Sequence, residues 1–161
     1  MKRLLLGSAI LVLLFAIAGI AGAHEASAPA AAKQKVRFAG AAKNGQPISF
    51  RVVTKGGKSR IKGLAVDVVT ECWADLNADG VEDKIVAHIT NLNGKVSRSG
   101  EVEVYYAPDD DTEYIVEGTL VNRVAKLNVI VGGRFGPDGI PNAGNLDCDN
   151  WGTRYKAKAG G

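Results

Sequence analysis

The chain has few of the side chains on which most enzyme chemistry depends. Its histidines number two, His24 and His88, and its cysteines two, Cys72 and Cys148. No Ser or Cys stands in a recognisable nucleophile setting. The G-x-S-x-G elbow, the P-loop and the H-E-x-x-H helix are all absent. A C-x-x-C redox pair is absent too, which removes the short spacing that a reactive dithiol needs. After residue 20 no apolar run is long enough to cross a bilayer. No amphipathic helical pattern of useful length follows either. No Cys follows the first apolar run, which argues against a lipid-anchored start.

What is present begins with MKRLLLGSAILVLLFAIAGIAGAHEASA. Lys2 and Arg3 precede an apolar stretch from Leu4 to Ile20, and Ala21-Gly22-Ala23 offers small residues for a peptidase. This is the layout of a secretory signal peptide over residues 1–23, with an uncleaved anchor as the rival reading. Cleavage removes two of the three net positive charges that the full chain carries at pH 7. The near-neutral remainder gives no support from total charge to generic polyanion binding, and a nucleic-acid partner is not expected. Residues 24–34, HEASAPAAAKQ, are Ala-rich with few large apolar groups and read as a flexible leader. Residues 35–161 are one domain's worth of chain.

That domain reads as all-β, a meander of about eight antiparallel strands forming a sandwich or a flattened barrel. Ile48, Phe50 and Val52 alternate with Ser49 and Arg51. Leu64, Val66, Val68, Thr70 and Cys72 share one face of LAVDVVTEC. Ile85, Ala87 and Ile89 put His88 outside, and Val102, Val104 and Tyr106 share another face. Ala125, Leu127, Val129 and Val131 do the same, and RYKAKA alternates throughout. Period two with one polar face describes half-buried strands. Hairpin loops are expected at 43–45, 54–58, 91–94 and 107–111, where Gly, Asn, Asp and Pro cluster.

Two cysteines in an exported chain predict a Cys72–Cys148 disulfide. A closed loop of that length is worth about 4 kcal/mol in the chain-entropy model.

The order PISFRV…GG…RIKGLAVDVVTEC, NGKVS, YIVEGTLVNRVAKLNVIV and CDNWGTRYKAK resembles a family of small secreted bacterial β-domains. Its members carry a signal peptide, a mid-chain Cys ending a long strand, and a C-terminal Cys-Asp before a last strand. The resemblance implies that fold and that disulfide, and it brings no catalytic residues. One departure is the segment after Cys72, which in the family is a plain polar turn.

Here that segment is DLNADGVED, with Asp75, Asn77, Asp79, Gly80, Val81 and Asp83 at positions one, three, five, six, seven and nine. Alternate oxygens can curl around one hard cation, Gly allows the sharp turn, and Val81 need give only its carbonyl. Position twelve is Val86 rather than a bidentate Glu, so the loop is not an EF-hand. It resembles the short D-x-N-x-D-G-x-x-D calcium loops of integrin-type propellers and thrombospondin type 3 repeats. The expected metal set is Asp75, Asn77, Asp79, Val81 and Asp83, holding a structural Ca2+. An Asx-rich turn is the competing reading. Three Asp carboxylates, with Glu82 beside them, repel one another unless a cation offsets the charge. A fainter echo at 138–142, near Asp147 and Asp149, lacks side-chain ligands at its first positions and reads as a surface loop. A copper brace from the His24 amine and His88 would need a rigid ligand pair that the leader does not offer.

Residues 33–62 hold nine Lys or Arg and no acid, whereas 67–117 are acidic. Lys55, Lys58, Arg60 and Lys62 could present a basic edge to an anionic envelope polymer. Protection of an exposed strand edge by lysine is the plainer explanation. The functional expectation is an exported calcium-binding β-domain with a binding or structural role and no enzyme activity. The alternative is a polymer hydrolase on the same scaffold, since carboxylate pairs cannot be located from sequence.

Overall fold

The computed structural model describes residues 33–73, 83–144 and 146–160. The expected signal segment, most of the leader and Asp75, Asn77, Asp79 and Val81 lie outside the described residues. The described chain is all-β. Its strands are β1 (Gln34–Ala42), β2 (Pro47–Lys55), β3 (Lys58–Cys72), β4 (Lys84–Val96), β5 (Glu101–Asp109), β6 (Thr112–Val121), β7 (Val124–Phe135) and β8 (Leu146–Ala159). Each pairs antiparallel with the next, and β8 returns to β1, so the sheet closes into a barrel.

An eight-stranded barrel is narrow enough for its own side chains to fill it. Here they do. Ile48, Ile61, Leu64, Val68, Val116, Val129 and Phe135 are buried in one continuous apolar cluster. Phe38 and Phe50, opposite each other on β1 and β2, stack at 4.9 Å. Burial pushes the Tyr155 phenol well above its usual range, and Asp67 adds to the shift. Burial, then Asp109 and Tyr106, raise Tyr114 to about 12. Both inner phenols are therefore neutral at physiological pH. Charged residues point outward from every strand, from Arg37 on β1 to Lys158 on β8. This is the reverse of a membrane barrel, whose outer band is apolar.

The two ends of the barrel differ. At the end carrying the Gly56-Gly57 turn, all eight strands close the ring. At the other end the β1–β2 hairpin stops short. The last β1 partner on β8 is Ala42↔Tyr155, and the last β2 partner on β3 is Ile48↔Val66. Past the hairpin tip β3 meets β8 directly, through Glu71↔Asp149 and Cys72↔Cys148. The Tyr155 hydroxyl donates to the Asp67 carbonyl at 2.5 Å and bridges the corner where the hairpin ends. The Trp73 N–H donates to the Asp147 carbonyl at 2.9 Å, beside the two cysteines. Their Cα atoms are 4.0 Å apart and their sulfurs are bonded. A disulfide marks an oxidising environment outside the cytoplasm.

At this same end β4 and β5 splay. They pair only at Lys95↔Glu103 and Val96↔Val102. The β7–β8 loop fills the opening. The His88 N–H donates to the Gly139 carbonyl at 3.0 Å, the Thr112 hydroxyl to Asn142 Oδ1 at 3.0 Å, and Asn142 Nδ2 to Asp109 Oδ2 at 2.9 Å. The segment that echoed a calcium loop in sequence is thus a plug seated by hydrogen bonds. Gly139 has φ +77°, and a Cβ there would sit 1.7 Å from the Val86 carbonyl oxygen. Gly139→Ala should therefore destabilise the domain by about 2 kcal/mol or more, from backbone strain and the lost seat. Urea unfolding measures this, and a midpoint unchanged from wild type would refute it.

Two expectations change. The turn expected at 91–94 is not a turn, because Asn91 to Gly94 lie inside β4 and the chain reverses at 97–100. Asn91 instead takes φ 63° and Asn93 bonds across to β3, so the turn-forming residues serve a bulge. Tyr106 stacks on inner Tyr114 at 6.0 Å, yet it stays 49% exposed because β5 has left β4 there.

Candidate functional site

The barrel converts the basic run of residues 33–62 into a patterned face. Outward positions on adjacent strands lie directly opposite one another, with Cβ atoms about 5 Å apart. Arg37 faces Arg51, and Arg51 faces Lys62. One cross-strand row on β1, β2 and β3 is therefore three cations. In the adjacent row Lys35 faces Val53, Val53 faces Arg60, and Arg60 faces Lys95 of β4. Lys55 faces Lys58 across the β2–β3 turn. The face ends where Lys95 meets Glu103 of β5.

Like charges directly opposite are destabilising, by about 0.2–1 kcal/mol per pair. Glu103 stands opposite Lys95 at the β4 end, but no acid faces Arg37 or Arg51 across the β1–β2–β3 row. The ion pairs among the described residues are Lys84–Glu71 at 2.6 Å, His88–Asp67 at 2.9 Å and Arg134–Asp111 at 3.3 Å. None includes a cation of the two rows. Edge protection does not explain the rows either, since β2 and β3 are paired on both sides and have no free edge.

Of the basic residues expected from sequence, Arg60 and Lys62 stand inside the rows, and Lys55 and Lys58 flank them at the turn. Lys35, Arg37, Arg51 and Lys95 join them only through strand register. The acid-free run contained the first three, but only the pairings align them. Cations continue past β1 onto β8 and β7, where Lys126 faces Lys156. These two, with Lys43, Arg154 and one acid, Glu117, rim a cleft of about 780 Å³ over Ala41, Gly118 and Leu127.

The opposite flank is acidic. Glu101, Glu103, Glu113 and Glu117 point outward from β5 and β6. Asp109, Asp110, Asp111, Asp147 and Asp149 line a separate cleft with the exposed ring of Trp73. Its carboxylates are open to solvent or half-buried.

Among the described residues no group of three or more His, Cys, Asp or Glu is placed to hold a metal ion. Of the expected calcium ligands only Asp83 is described. Its carbonyl accepts from the Cys72 N–H at 2.9 Å, which draws together the two strand ends that flank the acidic segment. His88 Nδ1 lies on the Asp67 carboxylate at 2.9 Å, and His24 lies outside the described residues.

No protein-family model, curated protein or solved structure matches the chain.

Proposed function

We propose that this chain is an exported binding domain whose basic face holds an anionic polymer of the cell envelope or extracellular space. One observation carries the reading. Three cations stand in a single cross-strand row, Arg37–Arg51–Lys62, in strands that have no free edge. An arrangement that costs stability in the free protein is accounted for by a ligand that supplies the missing negative charge. The hydrolase reading has less support. A general acid needs a carboxyl held protonated by burial, and the carboxylates beside Trp73 are open or half-buried. The test is retention of the mature domain on immobilised heparin and on immobilised long-chain polyphosphate. Retention that is released by a few hundred millimolar salt supports the reading. Passage through both columns at 20 mM salt sinks it.

The acidic segment keeps its place in this proposal as a structural calcium site. Its support is ligand spacing in the sequence and the Cys72–Asp83 bond that brackets it. A weak extracellular site, on the order of 10⁻⁴–10⁻³ M, fits its short frame. Ten millimolar Ca2+ should then raise the melting temperature by several degrees, since a ligand bound only by the native state stabilises it by RT ln(1 + [L]/Kd). Asp75→Asn with Asp79→Asn should abolish the rise. An unchanged melting temperature of the wild type in calcium against magnesium would discard the site.

A further inference from the structure

A bulged corner of the basic face has the build of a discrete site. β3 slips register against β4 between Ile61 and Leu64 and again between Leu64 and Val66, and β2 slips against β3 between Ser49 and Arg51. Bulges re-aim side chains and locally coil a sheet. Here they leave a depression of about 410 Å³, whose lining includes Lys35, Arg51, Lys62, Gly63, Asn91 and Asn93 and no carboxylate.

Its floor is fixed. Asn93 Oδ1 accepts from the Gly63 N–H at 3.3 Å, and Asn93 Nδ2 donates to the Asn91 carbonyl at 2.9 Å. The Asn93 side chain therefore spans both bulges. Gly63 (φ +57°) carries no Cβ, and Arg51 Nη2 lies 3.4 Å from where one would be. Arg51 lines the depression beside this bare backbone, where a side chain longer than a methyl would crowd the guanidinium. Lys62 faces Arg51 across the β2–β3 pairing, and Lys35 comes in from β1.

We infer that this depression is a subsite for a tetrahedral oxyanion, a phosphate or sulfate group, which rests on the polymer-binding reading and names the group on the polymer that is read. Arg51 supplies the planar fork that matches two oxygens of such a group. Lys35 and Lys62 supply point charges from either side. A carboxylate's acceptor sites lie in one plane, whereas a tetrahedral group turns two oxygens to the Arg51 fork and others out of that plane toward Lys35 and Lys62. The neighbouring Arg37, Arg60 and Lys95 then track the rest of the polymer.

The experiment is an amide and arginine Nε NMR titration of the mature domain with inorganic phosphate, against chloride at matched ionic strength. A methyl phosphodiester is the second titrant. Expected are saturable shifts centred on the Gly63 amide, the Asn93 side-chain amide and Arg51 Nε. Arg51→Gln should abolish them while the spectrum stays dispersed as in the folded wild type, and Arg51→Lys should weaken them at least fivefold. Lys126→Gln with Lys156→Gln removes twice as much charge elsewhere and should leave them unchanged. Equal saturation by the diester places the site on polymer-borne phosphate, and saturation by inorganic phosphate alone makes it a free-phosphate site. Shifts spread evenly over all lysines, or no excess over chloride, overturn the subsite even if the domain is retained on polyphosphate. Saturable phosphate shifts in a domain that no polymer column retains would uphold the subsite and remove the polymer reading.

Discussion

Replacing both half-cystines, Cys72→Ala with Cys148→Ala, should lower the unfolding free energy by about 4 kcal/mol and the melting temperature by about 15 °C. The bond closes a loop with a sequence separation of 76 residues. Most of the effect is the entropy returned to the unfolded chain. A smaller part is lost burial, because both sulfurs sit inside the apolar cluster. The position of the bond gives the loss a local signature. β3 and β8 meet through only two registered pairs, Glu71↔Asp149 and Cys72↔Cys148. Without the bond, two pairs and the Trp73–Asp147 hydrogen bond must keep that end closed against β4 and β5, which already splay. The Trp73 amide should therefore lose hydrogen-exchange protection far earlier than the Val52 and Ile61 amides at the fully closed end. A melting loss below about 3 °C, or uniform loss of protection, would show that strand pairing alone holds the end.

The parts of the fold legible in the sequence are those fixed by local pattern. Leu64, Val66, Val68, Thr70 and Cys72 turn inward as their alternation demands, Thr70 included although it is polar. The Gly56-Gly57 turn follows from the glycines between two β-branched runs. Asn91 to Gly94 carry a turn signal and form a bulge, because Asn and Gly favour left-handed backbone wherever the chain needs it, in a bulge as much as in a turn. Telling the two apart requires knowing what β3 does opposite them. Ring closure and the direct β3–β8 contact belong to that same class of non-local fact. The site followed suit. Its charges were visible as an acid-free run, but Arg37, Arg51 and Lys62 are 14 and 11 residues apart. Only register sets them in one row, and only register removes the free edge that lysines would otherwise protect. The ligand order of Asp75 to Asp83 is a local pattern as well, and it stands on its spacing.

The row also predicts a pair of effects with opposite signs. Arg37→Gln, Arg51→Gln and Lys62→Gln together should weaken binding to long-chain polyphosphate about a hundredfold at 0.15 M salt, taking the counterion-release rule for nucleic-acid phosphates as a guide. Each lost contact should remove about 0.7–0.9 from the slope of log affinity against log salt. The three should therefore flatten it by about 2–3. The same variant should be no less stable than wild type, and more stable at low salt by roughly 0.5–1 kcal/mol, because two directly opposed like-charge pairs are gone. High salt should erase the gain, since it screens the repulsion in the wild type. The crossing of signs separates a binding surface from a structural one. Damage to the fold would lower affinity and melting temperature together, and a purely structural row would change stability alone. If the variant binds polyphosphate with the wild-type slope, the row is not where the polymer lies. If it melts lower than wild type at every salt concentration, the opposed cations are not a cost borne for a ligand, and the row belongs to the fold rather than to a binding surface.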